Sequence, residues 1–253
     1  MKIIAIDCSG LVASVAIVED DNLIAEYNVQ YKKTHSQTLL PMLDEIKRMT
    51  ELDLSTVDAI ALSKGPGSFT GLRIGSATAK GLSQALDIPI VEVGTLEGLS
   101  CNLYGTASLV CPIMDARRNQ VYTGIFSYER KEDGFELVTH LKDCASGIED
   151  LIDKVSDVSR ETGKDVIFLG DGVPVFKEVI AERIGVPYSF APAHMNRQRA
   201  ASFAPLAMRY FEKGMAVSCF EHAPEYLRLS QAEREKYEGI ANKGSNYKTD
   251  DGK

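Results

Sequence analysis

Residues 2–31 read KIIAIDCSGLVASVAIVEDDNLIAEYNVQY. Ile3 to Asp7 is an apolar run closed by the turn Cys8-Ser9-Gly10. Val12 to Glu19 is a second run, Asp20-Asp21-Asn22 a polar hairpin, and Leu23 to Val29 a third run. Short β-branched runs punctuated by Gly, Asp and Asn predict a three-stranded antiparallel meander. Residues 109–141 repeat that grammar: Leu109 to Asp115 is apolar and ends on Asp, Arg117-Arg118-Asn119 turns, Val121 to Tyr128 alternates, and Phe135 to Leu141 follows a charged turn holding Gly134.

The parallel continues downstream. Helical spacing follows each meander, at about His35 to Met49 and Ile148 to Val158, then a strand opening on Asp58 or Asp165, then a glycine corner (Gly65-Pro66-Gly67; Gly170-Asp171-Gly172), then another helix. Asp7 recurs as Asp115 and Asp58 as Asp165 at almost the same offset. Two copies of a meander followed by alternating helix and strand predict an α/β chain with the duplicated ribonuclease-H-like fold of the actin-like ATPases (ASKHA). The expected lobes are residues 1–108 and 109–230. Residues 231–253 are too polar to pack and are expected to form a disordered tail.

The first glycine corner runs Gly65-Pro66-Gly67-Ser68-Phe69-Thr70-Gly71-Leu72-Arg73-Ile74-Gly75. Gly and Pro force a tight turn, and Ser68 or Thr70 can cap a helix from about Phe69 to Leu86. No Gly-Lys-Ser/Thr ending follows, so this is not a Walker loop. Inside the helix Gly71, Gly75, Ala79 and Ser83 recur every four residues, as do Ala77, Gly81 and Ala85. A glycine inside a helix costs about 0.8–1 kcal/mol relative to alanine. Close approach of another backbone is the expected compensation, and it can come from this chain or from a partner. The preceding helix places Leu39, Met42, Leu43, Ile46 and Met49 on one face and Leu40 on another, a surface that suits either a core or a partner.

The chain has 253 residues, 44% of them apolar, and a net charge of −8. It is long enough for a sizeable core, and with no basic stripe tight unaided binding to RNA is not expected. The five cysteines show no Cys-x-x-Cys pair, the N-terminal run reads as a strand, and no apolar run approaches a membrane span. A cytoplasmic, reduced protein with no membrane partner is expected. The four histidines (His35, His140, His194, His222) show no helical metal pair.

In an actin-like frame, Asp7 and Gly10 stand where metal-bound water and phosphate are contacted, and Gly65, Gly67 and Ser68 form a candidate vestigial nucleotide or anion loop. Asp115 takes the second such place, but Arg117-Arg118 replaces the small residues a phosphate needs, and no Gly-Gly pair occurs anywhere. An Asp closing a strand also serves as a turn former. A phosphotransferase or ATPase is therefore the rival reading. A peptidase ranks below it, because Ser68 lacks the Gly-x-Ser-x-Gly elbow, Cys8 has no identifiable base, and His35 reads as a first-turn residue behind a Thr34 cap.

The Ile4-Ala5-Ile6-Asp7 start, the eleven-residue corner, Met114-Asp115-Ala116-Arg117 and the late Pro224-Glu225-Tyr226-Leu227-Arg228 resemble the TsaB (formerly YeaZ) family over roughly residues 1 to 230. The resemblance implies a non-catalytic accessory subunit of the machinery that forms threonylcarbamoyladenosine beside the anticodon of tRNAs reading codons that begin with A. It implies TsaD, the catalytic paralogue, as direct partner, with TsaE joining the pair and tRNA met only through the complex. ATP, ADP and metal are then expected on the partner subunits, with no cofactor and no catalytic or metal residue here. The paralogue carries a metal-binding His-x-x-x-His after its glycine-corner helix and the next strand; this chain has Thr95 and Leu99 in those places. The partner-facing residues expected on the two N-terminal helices are Leu39, Leu43, Ile46, Phe69, Gly71, Leu72, Gly75, Ala79 and Leu82. Whether the free chain pairs with itself through that surface is left open.

Overall fold

The structure, a computed structural model, describes residues 1–31 and 34–227. Arg228 and the expected tail lie outside the described residues.

The first meander is β1 (Lys2–Asp7), β2 (Ala13–Glu19) and β3 (Asn22–Val29), followed by α1 (His35–Thr50), β4 (Ala59–Gly65), α2 (Phe69–Leu86), β5 (Ile90–Gly94) and the short α3 (Thr95–Ser100). The second copy is β6 (Leu109–Asp115), β7 (Gln120–Lys131), β8 (Gly134–Gly147), α4 (Ile148–Thr162), β9 (Val166–Leu169), α5 (Val173–Arg183) and β10 (Tyr188–Phe190). The chain continues through α6 (Ala200–Glu212) to β11 (Ala216–Val217).

Two sheets result, ordered β11-β5-β4-β1-β2-β3 and β10-β9-β6-β7-β8. In both, the meander is antiparallel and the strands after the crossover helices join parallel: β4 on β1 and β5 on β4, then β9 on β6 and β10 on β9. This is the duplicated ribonuclease-H-like arrangement the repeat predicts. β1, buried on both faces, is apolar at Ile3, Ile4, Ala5 and Ile6, as a central strand between packed layers must be.

Each sheet is covered on one face by its own helices. Leu39, Met42, Leu43 and Ile46 of α1 and Ala79 of α2 close over Ile4, Ile6, Val15, Ile60 and Leu62. Ile148, Leu151 and Val155 of α4, with Phe176 and Ile180 of α5, cover Cys111, Ile113, Val121 and Phe168.

The opposite faces are exchanged between the lobes. Leu96 and Leu99 of α3, a first-lobe element by sequence, pack with Val110, Met114, Phe126 and Leu169 of the second sheet. Ala200, Phe203, Ala204, Ala207 and Met208 of α6 pack on Ile3, Ala5, Ala16, Ala61 and Val91 of the first sheet, and β11 pairs antiparallel with β5. A division at 108/109 therefore leaves α6 and β11 on the far side of the line from the sheet they complete. The reason is physical: each sheet has two apolar faces and a meander-helix unit covers one of them.

Candidate functional site

The glycine corner is packed by this chain's own backbone. Ser68 N–H donates to the carbonyl of Ser9 at 2.7 Å, and a Cβ on Gly67 would stand 2.2 Å from that oxygen. Gly65, at φ +126°, has the carbonyl of Glu225 2.3 Å from where its Cβ would be. Only glycine permits either approach. The second corner repeats the device: Gly172 N–H donates to Ile113 O at 3.0 Å, and a Cβ on Gly170 would lie 2.1 Å from the same oxygen. Both corners therefore clasp the end of the neighbouring central strand, and that clasp for Gly67 and the Glu225 carbonyl for Gly65 are structural reasons independent of any anion. Ser68 caps α2 by accepting from Gly71 N–H at 3.3 Å.

Asp7 is buried, and its Oδ1 accepts from Ser9 N–H at 2.8 Å and from Ser9 Oγ–H at 2.7 Å. Desolvation raises its pKa, while the bonds from Ser9 and Ser63 act the other way. That is the turn-former geometry. Gly10 lies under the amide of Gln198, 2.9 Å from its would-be Cβ. The His35 ring is not simply a first-turn residue behind a cap: its Nε2 donates to Gly10 O at 2.9 Å, and Thr34 makes no side-chain cap bond. Burial drives the Cys8 thiol well above its ordinary range, the reverse of what a thiolate nucleophile needs.

Most of the residues expected to meet a partner are turned inward. Leu39, Leu43, Ile46 and Leu72 are core residues, and Leu82 packs against the same core. A Cβ on Gly71 would collide with Cys8 O at 2.1 Å, one on Gly75 would sit 3.3 Å from Cys8 Cβ, and Ala79 is wholly buried. The first small-residue stripe thus lets α2 settle close to the end of β1 and onto Leu62, and the close approach it predicts is internal. The second stripe faces out. Ala77, Gly81 and Ala85 are exposed, and among the described residues nothing lies within 4 Å of a Cβ on Gly81. Beside them α1 exposes Leu40, Pro41, Asp44, Lys47, Arg48 and Met49. Phe69 is half-buried at the head of α2, where its ring lies 4.7 Å from Tyr226 and the Arg73 guanidinium stands 3.9 Å over its face. Sequence spacing marks both stripes; which one faces water is decided by the helix rotation that the Cys8 contact fixes.

Thr95 and Leu99 lie one turn apart on α3. The Thr95 hydroxyl is bonded to Ser63 Oγ at 2.7 Å, and Leu99 is in the core. Nearby, Glu97 accepts from the Tyr210 hydroxyl, and burial raises its pKa. Asp143 of β8 accepts from Leu96 N–H at 3.2 Å; burial, with Glu97 and Glu225 nearby, raises it to about 7. Among the described residues no group of three or more His, Cys, Asp or Glu side chains could hold a metal ion, and no helix is long and apolar enough to cross a membrane.

The sequence profile of TsaD, tRNA N6-adenosine threonylcarbamoyltransferase, matches residues 23–236. The chain is 34% identical over 233 residues to the tRNA threonylcarbamoyladenosine biosynthesis protein TsaB of Bacillus subtilis, covering 92% of this chain and 96% of that one. The protein of the same name from Escherichia coli is 28% identical, with the same coverage. Among solved structures, a Pseudomonas aeruginosa protein described as similar to peptidase YeaZ superposes with a TM-score of 0.73 at 26% identity, over 90% of this chain and 99% of that one. At the identity and coverage shared with the Bacillus subtilis protein, the chain belongs to the TsaB family.

Proposed function

We propose that this chain is a non-catalytic subunit of the enzyme that forms threonylcarbamoyladenosine on tRNA, and that it acts by docking on TsaD through the solvent faces of α1 and α2. Membership of a family whose curated relatives are named for that biosynthesis supports the pathway. The observation that carries the docking mode is Gly81. A mid-helix glycine costs about 1 kcal/mol against alanine, and here no atom of the described residues uses the space it leaves. A second helix lying along Ala77, Gly81 and Ala85 would use it. The buried residues Leu39, Leu43, Ile46, Leu72, Gly71, Gly75 and Ala79 then hold the two helices from behind, and Phe69 and Leu82 flank the seam. The absence of catalysis is supported by Thr95 and Leu99, whose side chains are a bonded hydroxyl and a core alkyl group where the paralogue has imidazoles. TsaE and tRNA are met through the assembled complex.

Titration calorimetry with purified TsaD, alongside light scattering of each component, tests this. Wild type should bind. Gly81→Leu should fold with a melting temperature no lower than wild type, since a helical glycine is removed, yet lose about 1–3 kcal/mol of binding, roughly 5- to 150-fold in Kd. Equal affinity for the variant overturns the surface assignment. Failure of the wild type to bind, or threonylcarbamoyl transfer by this chain alone, overturns the function.

A further inference from the structure

Among the described residues beyond β11, residues 218–227 form no helix or strand, yet they are tied to the first lobe at two points, the first of them buried. His222, its side chain wholly buried, has Nδ1 2.6 Å from Glu92 Oε1. Glu225 N–H donates to Lys64 O at 2.8 Å, its carbonyl fills the space above Gly65, and its carboxylate is 3.4 Å from Lys64 Nζ. The next residue, Tyr226, is delivered to the first turn of α2. There its hydroxyl accepts from Arg73 Nε–H at 3.2 Å, while the guanidinium lies over Phe69. The stack is in water: Tyr226 is 40% exposed and Arg73 is exposed. Among the described residues Arg73 forms no ion pair.

An exposed cation over a ring contributes little to a fold. As a pre-oriented Tyr–Arg pair, however, this is the chemistry found at the energetic centres of interfaces. Arg73 also heads the outward row Arg73, Ala77, Gly81, Ala85, one residue per turn. We propose that the 218–227 strap builds an anchor from Tyr226 and Arg73 that receives a carboxylate of the partner lying along α2. The inference rests on the docking reading above. Glu225 and His222 are its positioning residues: they hold Tyr226 against Arg73, and Tyr226 holds the guanidinium through Nε.

The test measures Kd for TsaD at low and at physiological salt, with melting temperatures for each variant. Arg73→Gln should weaken binding about tenfold, lower the salt dependence of Kd and leave the melting temperature unchanged. Tyr226→Ala should weaken binding similarly, and Tyr226→Phe, which keeps the ring and loses the hydroxyl, should fall between. Wild-type affinity in Arg73→Gln and Tyr226→Ala overturns the anchor while leaving the docking reading intact. An equal loss at all salt concentrations in Arg73→Gln also overturns it, because the lost contact is then not ionic. If Gly81→Leu binds normally while Arg73→Gln does not, the anchor stands and the α2 seam falls; if wild type does not bind, both fall.

Discussion

At the scale of single residues the informative glycines are those whose missing Cβ is replaced by a carbonyl oxygen. Gly67→Ala would place a methyl 2.2 Å from Ser9 O and should cost about 3 kcal/mol, the upper range for overpacking, read as a lower urea midpoint. Asp143 makes a pH prediction. Its folded pKa, about 7, stands above the roughly 3.9 of an unfolded aspartate. The folded state therefore holds the extra proton between those values, and stability from this group is full below pH 4 and lost as pH rises through 7. Asp143→Asn should raise stability at pH 8 by on the order of 1–2 kcal/mol and change it little at pH 4, measured by urea unfolding at the two values. The turn chemistry of Asp7-Cys8-Ser9-Gly10 was legible in the sequence. That its carbonyl would be clasped by Gly67 was not, because the contact joins residues nearly sixty apart whose types only say that something must come close.

On the scale of elements α2 gives opposite results on its two sides. Gly75→Leu would drive a branched side chain against Cys8 and Leu62, where even a Cβ sits at 3.3 Å, and the free protein should lose ~1–3 kcal/mol. Gly81→Ala meets open space and should gain about 0.5–1 kcal/mol, since a helical glycine is replaced by the best helix former. Thermal melts of the two variants decide this without a partner. The approximate limits of α2 were readable because the Gly-Pro-Gly corner cannot be helical and Ser68 or Thr70 follows it as a cap; the structure selects Ser68. Its rotation was not readable, since both stripes are small and only the contact with the end of β1 selects the one that faces in. The same holds for α1, where Leu39, Leu43 and Ile46 form a face that spacing alone leaves equally fit for a core or a partner.

For the molecule as a whole, net charge and the exchanged helices matter most. At −8 the free chain should bind tRNA more weakly than micromolar at about 0.15 M salt; sub-micromolar binding in a filter or fluorescence assay would contradict the need for a complex. The repeat made both lobes visible in sequence, down to the paired aspartates. It could not show the exchange, because the Ala200, Phe203, Ala204, Ala207 pattern of α6 says only that one face is buried, not in which lobe. Phe203→Ala should cost about 3–5 kcal/mol, with the faster hydrogen exchange falling on β1 and β4 of the other half. The exchange also sets an order in time. A ribosome releases Ile3, Ala5, Ala16, Ala61 and Val91 long before Phe203, so the nascent first half spends most of its synthesis with one apolar sheet face bare. Chaperone capture of ribosome-bound chains should therefore persist until residues near 210 have left the exit tunnel, and should end there, whatever the speed at which the second half folds.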